Sequence, residues 1–141
     1  MTEIAIVRRC EIPAISQIME HGELHNLGEQ RDFRRHPLLD KFIPQQGRLS
    51  LAWVRLGAGE VLAPHRHPTA SLLLCTGGCG IVLELPERVV EPGDAVLVPA
   101  GSVHGFKGLE PIGIEGLSIQ FEDRGLYEDT AKPRVEFARD L

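Results

Sequence analysis

Two stretches decide the fold: GEVLAPHRHPTASLLLCTGG, residues 59–78, and GDAVLVPAGSVHGFKG, residues 93–108. Both read as short apolar runs cut by glycine and proline, with Gly77-Gly78 and Pro92-Gly93-Asp94 at points where strands reverse. In the first stretch a single residue separates His65 from His67. Alternate residues of a strand share a face, so both imidazoles can converge on one ion while Arg66 points away. Pro64 and Pro68 bracket the pair and restrict the backbone around it.

The same texture runs from residue 49 onward. Leu49–Leu56, Ser71–Thr76, Gly80–Leu85, Ala95–Val98 and Ile112–Phe121 are short apolar segments bounded by turn formers, which is an all-β pattern. Residues 1–48 are mixed and read as an N-terminal extension. After Pro13, the spacing of Ile15, Ile18 and Met19 predicts one short helix over Ala14 to His21, and Glu3–Val7 reads as a strand. Residues 49–121 form the core. Residues 122–141 are a polar tail with one terminal strand, Arg134–Ala138, expected to pack over the core or a partner. In that tail Asp123, Arg124, Glu128 and Asp129 read as solvated surface, and Tyr127 has no evident partner.

A chain of 141 residues is long enough for one compact domain but short for two. Its 43% hydrophobic and 25% charged residues predict a soluble globular protein without a membrane span. A net charge of -5, with basic residues clustered no further than Arg8-Arg9 and Arg34-Arg35, gives no footprint for nucleic acid. The start Met1-Thr2-Glu3 lacks the pattern of a secretory signal, so a cytoplasmic location is the expectation. Cys10, Cys75 and Cys79 cannot all pair within one chain and read as free thiols. The Cys75-x3-Cys79 spacing has no second pair to complete a zinc site.

Written as Gly59-x5-His65-x-His67-x3-Ser71-x6-Gly78 and Gly93-x5-Pro99-x-Gly101-x2-His104-x3-Gly108, the two stretches resemble the paired motifs of the cupin superfamily. The resemblance implies a small antiparallel jelly-roll barrel, with the short N-terminal helix appended. It also implies that His65, His67 and His104 hold one divalent metal ion, iron or zinc first, with nickel, manganese and copper also compatible. Small single-barrel cupins commonly pair, so a homodimer is implied, through sheet edges or an exchanged N-terminal strand such as Glu3–Val7. The chain departs from the family pattern at Ser71, where glutamate is usual, and at Gly108, where asparagine is frequent. Thr69, Ala70 and Ser71 stand where thiol dioxygenases carry an aromatic residue, which speaks against a cysteine-oxidising role.

Ser71 bears most on mechanism. A neutral hydroxyl is a poor ligand, so three imidazoles around a dication keep about two positive charges and open positions for water or a chelating, oxygen-rich substrate. Ser71 is then a catalytic group, or it hydrogen-bonds a ligand or bound water. Gln120 faces the same way as Ser118. If that side is inward, its amide orients substrate or adds a ligand; if outward, it meets solvent. By strand parity Leu73 and Cys75 share the side of Ser71, and Phe106 that of His104, giving a mostly apolar substrate pocket. Cys75 is there a small hydrophobe or a soft neighbour of the metal. Trp53 and Arg55 share a face, and Arg55 is either an anion-holding group at the pocket mouth or an ordinary surface arginine. His21 and His25 approach the site only if the N-terminal segment crosses the barrel. His36, followed by Pro37, reads as loop.

These features support a metal-dependent enzyme acting on a small molecule. An Fe(II) oxygenase is slightly favoured over a zinc-dependent cyclase or isomerase such as a polyketide cyclase. A non-catalytic ligand- or metal-binding module is the third reading, since fold alone does not imply turnover.

Overall fold

In the computed structural model, which describes residues 3–44, 48–122, 124–127 and 129–138, the chain is an antiparallel β-barrel built from two sheets. The strands are β1 (Ile15–Glu20), β2 (Glu23–Asp32), β3 (Ser50–Leu56), β4 (Val61–Arg66), β5 (Ser71–Gly78), β6 (Gly80–Val82), β7 (Arg88–Val90), β8 (Ala95–Val98), β9 (His104–Gly108), β10 (Ile114–Gln120) and β11 (Glu136–Phe137). One sheet has the order β1-β2-β3-β10-β5-β8, the other β11-β4-β9-β6-β7. The non-sequential neighbours β3-β10-β5 and β4-β9-β6 are the crossovers of a jelly roll.

The expected helix over Ala14 to His21 is strand β1 instead, paired with β2. A bulge between Ile15 and Gln17 explains the misleading spacing. The register breaks there, two positions of β1 passing four of β2, so no single period-two alternation runs along β1, and Ile15 and Ile18, three apart, are both buried as they would be on a helix. The hairpin closes through His21 (φ 50) and Gly22 (φ 78), successive left-handed residues of the kind that match strand twist. The α-helix among the described residues, α1, lies at Pro37–Phe42, directly after His36, a segment for which the sequence predicts no element. Pro37 opens it, and the His36 side chain caps it by accepting the Leu38 N–H at 3.2 Å. Glu3–Val7 forms no strand.

Inward-facing Leu56, Leu62, Cys75, Val82, Phe106 and Ile114 fill the space between the sheets. The tail is less polar in place than in composition, because Leu126, Tyr127, Val135 and Phe137 are all buried against this core. Its terminal strand shortens to β11, which pairs with β4 and so brings Phe137 opposite His65. Arg124 and Asp129 are exposed, whereas Asp123 and Glu128 lie outside the described residues. Cys10, Cys75 and Cys79 are free thiols. No helix among the described residues is long and apolar enough to cross a membrane.

Candidate metal centre

Antiparallel register assembles the histidines. β4 and β9 pair so that His65 stands opposite His104, with ring centroids 4.3 Å apart. This close crossing depends on Gly105, where a Cβ would lie 2.9 Å from both Leu62 O and Pro64 N. His67, just beyond β4, completes a cluster with His104 at 4.8 Å between centroids. The candidate ligand atoms of the three residues all lie within 4.8 Å of one another.

Each imidazole is held in the same way. His65 Nδ1 lies 2.8 Å from Ala63 O, His67 Nδ1 2.7 Å from Thr69 O, and His104 Nδ1 2.9 Å from Ser102 O. A carbonyl can only accept, so each Nδ1 carries its proton and each Nε2 keeps its lone pair. Backbone bonds of this type fix both tautomer and ring orientation in metal-binding histidines. Burial reinforces the neutral form. The pKa of His65 falls to about 3 through burial and then the proximity of His104, and that of His104 to about 4, chiefly through burial. His67 is lowered as well, again by burial. Three neutral, pre-oriented nitrogen donors fit a divalent transition ion well, and among the described residues no carboxylate joins them in the cluster.

The three rings border a cavity of about 70 Å³. Its apolar walls include Leu56, Leu62, Leu73, Val98, Phe106 and Ile114; its polar members include Gln30, Ser71, Ser118, Gln120 and Tyr127. Ser71 and Gln120 are directly paired on β5 and β10, and both are buried. Gln120 therefore faces inward, not toward solvent. Its Nε2 donates to Ser118 Oγ at 2.7 Å, while its Oε1 is buried without a hydrogen-bond partner.

The remaining candidates divide. Leu73 and Phe106 line the cavity as expected from parity. Cys75 faces inward but packs in the apolar core, away from the cavity lining, with its thiol 3.6 Å from Gly77 O and its pKa pushed up by burial. Trp53 is on the outer face of β3, with the Arg9 guanidinium 4.7 Å above its ring, so it does not reach the pocket. Outward parity places it there, because Ser50 and Leu56 take the inner face. Arg55 borders the cavity, but its guanidinium is exposed and donates to Ile112 O at 3.4 Å. His25 stays out of the cluster and stacks on Phe137 at 4.0 Å, with ring planes 2° apart; Phe137 itself lies 5.3 Å from His65. His21 occupies the exposed hairpin turn.

Gln30, Leu126 and Tyr127 are lining residues that sequence reasoning did not single out. Gln30 sits on β2, which carries no clean alternation. Leu126-Tyr127 is an apolar pair within a polar tail, and that contrast was the available signal.

No protein-family model and no curated protein matches the sequence. Solved structures do match the fold. The polyketide cyclase RemF from Streptomyces resistomycificus superimposes with a TM-score of 0.67 over 99% of this chain and 88% of that one, at 16% identity. A cupin-like protein from Thermotoga maritima gives 0.52 over 66% of each chain, at 23% identity. A cupin 2 conserved barrel domain protein from Rhodopseudomonas palustris gives 0.51 over 56% of this chain and 55% of that one, at 19% identity. The chain thus spans a little under two thirds of the Thermotoga protein and just over half of the Rhodopseudomonas one. Similarity at these identities speaks for architecture, and the architecture of this chain is the cupin fold.

Proposed function

We propose that the protein is a divalent-metal enzyme that activates a carbonyl or enol oxygen of a small, oxygen-rich molecule for proton transfer, the chemistry of a cyclase, isomerase or lyase. One observation carries this reading: three imidazoles with free Nε2 lone pairs meet at a cavity whose buried polar members, Ser71, Gln120, Gln30 and Tyr127, are uncharged, the charged Arg55 and Glu115 that also border it being exposed and half-exposed. A metal held by His65, His67 and His104 supplies Lewis-acid polarisation there. The whole-chain likeness to a polyketide cyclase supports the same class.

The chain's own groups define the task. With Ser71 in place of a carboxylate, the centre retains its positive charge and selects ligands with anionic oxygens, such as enolates, β-diketones and carboxylates. Ser71 and the unpartnered Oε1 of Gln120 hydrogen-bond the substrate's oxygens and hydroxyls. Burial raises the pKa of Tyr127, so its phenol stays protonated and acts as a donor. The tail, through Leu126, Tyr127 and Phe137, keeps bulk water out. Sites for drug-sized ligands measure about 300–1,000 Å³, so a cavity of about 70 Å³ selects a compact substrate.

The second reading, an Fe(II) oxygenase, draws on the same nitrogen set with its open positions. Elemental analysis of protein purified without added metal, combined with oxygen uptake and product analysis on β-diketones, catechols and hydroxy acids, separates the two. Zinc with product formation and no oxygen uptake supports the proposal. Iron with substrate-dependent oxygen uptake replaces it by the oxygenase, and absence of any bound metal overturns both.

A further inference from the structure

Two glutamines on the inner face of the larger sheet are buried, Gln30 of β2 at 8% exposure and Gln120 of β10 at 6%. Gln30 Nε2 donates to the Leu27 carbonyl at 2.9 Å. A carbonyl only accepts, so this bond fixes which end of the amide is which, and Oε1 is left as an acceptor. Among the described residues no protein donor reaches it. Gln120 Nε2 is held by Ser118 Oγ at 2.7 Å, and its Oε1 is buried without a partner. Both side chains line the cavity beside the three histidines. Both also border an adjoining space of about 20 Å³, which shares Ser118, Leu126 and Tyr127 with the cavity. A space of that size holds about one hydroxyl- or water-sized group.

From this pair we infer that Gln30 and Gln120 are specificity-determining residues that read a hydroxyl group of the substrate, which is a compact hydroxy acid or hydroxy ketone. The inference rests on the metal-dependent reading above, in which an anionic oxygen of the substrate goes to an ion held by His65, His67 and His104. A carbonyl or carboxylate oxygen facing Gln30 Oε1 or Gln120 Oε1 would set acceptor against acceptor and leave buried lone pairs unpaired. A hydroxyl donates to either amide. Asp32, 4% exposed, borders the 20 Å³ space as well, and its carboxylate, which takes the Arg34 N–H at 2.9 Å, is again an acceptor. An ammonium group also donates, but in a cavity of about 70 Å³ it would lie close to a dication whose charge three neutral ligands leave uncancelled. A neutral hydroxyl avoids that repulsion.

Sheet register aims the two amides at one space. Gln30 stands opposite Val54 and Gln120 opposite Ser50, and these two partners lie four apart on β3, the strand between β2 and β10. Residues an even number apart share a face, so both glutamines project inward, one from each side of β3.

Isothermal titration calorimetry of the zinc-loaded protein tests the inference at two chain lengths, with glycolate against acetate and 3-hydroxypropionate against propionate. In wild type at least one hydroxy acid is expected to bind about tenfold or more tightly than its parent acid. The matching methoxy acid, whose ether oxygen only accepts, should bind no better than the parent. Gln30→Met and Gln120→Met keep the side-chain length and remove the acceptor, and each should lower the hydroxy-to-parent ratio by at least about threefold. A hydroxyl that merely chelates the ion keeps its advantage in both variants, so a ratio unchanged in both overturns the inference. Three outcomes in wild type, which need no variant to fold, also overturn it: ratios near one at both lengths, tighter binding of the methoxy acids, or tighter binding of glycine and β-alanine. If the parent acids bind and the hydroxyl adds nothing, this inference fails alone; if no acid binds at all, the metal-dependent reading falls with it.

Discussion

His65 and His104 occupy directly opposed positions of β4 and β9, 4.3 Å apart between ring centroids, and each donates its Nδ1 proton to a carbonyl two residues earlier in its own chain segment. Strand pairing sets the separation of the two rings, and local backbone sets which nitrogen of each remains free. The site is thereby organised before any ion arrives.

The three nitrogens act as one donor set. Substituting His65, His67 or His104 singly by alanine leaves two ligands and should weaken binding of a divalent ion by more than about 100-fold. Elemental analysis after dialysis reads the outcome; full metal occupancy in all three variants would rule out this centre.

Acid should destabilise the metal-free protein. His65 and His104 have folded-state pKa values of about 3 and about 4, below the ordinary 6.5, so between those limits the unfolded chain binds more protons than the folded one. Stability is therefore complete above pH 6.5 and declines as pH falls toward 4, by up to about 1.4 kcal/mol per pH unit for each such site. Urea melts of chelator-treated protein between pH 7.5 and 4.5 measure the slope. Replacing His65 by glutamine should flatten it, and an unchanged slope would mean that other groups carry the acid sensitivity.

Gln120 separates function from stability. Its buried, unpartnered Oε1 costs the empty site about 1–3 kcal/mol, partly offset by the Nε2 bond to Ser118. Gln120→Leu should thus leave the melting temperature unchanged or raised, while kcat/KM on the identified substrate falls at least about tenfold. A clear loss of stability with normal turnover would assign the amide to the core alone.

Phe137 joins the tail to the centre, stacked on His25 and adjacent to His65. Phe137→Ala should cost about 3–5 kcal/mol. It should also speed metal loss to a chelator, because the side chain covers one side of the histidine cluster. Denaturant midpoints and stopped-flow chelation report the two effects separately. Chelation at the wild-type rate would show that the tail does not limit access.

Much of the barrel was legible locally. The strand at Ala95–Val98 was read to the residue, and those at 50–56 and 71–78 to within one or two positions, since each is a short apolar run closed by glycine or proline. β1 was not, because the burial of Ile15 and Ile18, three apart, imitates helical spacing and only pairing with β2 reveals the break in register. α1 was missed because its start signal is unusual: a histidine side chain capping a proline-initiated turn.

By itself the sequence determined the all-β class, the clustering of chemistry on His65, His67 and His104, and the loss of a carboxylate at Ser71. The pairing of His65 with His67 depends on the two-residue period of a strand, whereas the addition of His104 and the missing carboxylate at Ser71 rest on the resemblance of the two motifs to the family's. Only the tertiary structure decided which face of each strand is inward, because alternation shows which residues share a side but not which side meets the core. On that choice rest the inward placement of Gln120 and the outward placement of Trp53. The tertiary structure alone also decided that Tyr127 lines the cavity and that Phe137 packs beside His65, although both are remote in sequence from the motifs, since contact between distant segments is set by packing and leaves no periodicity to read.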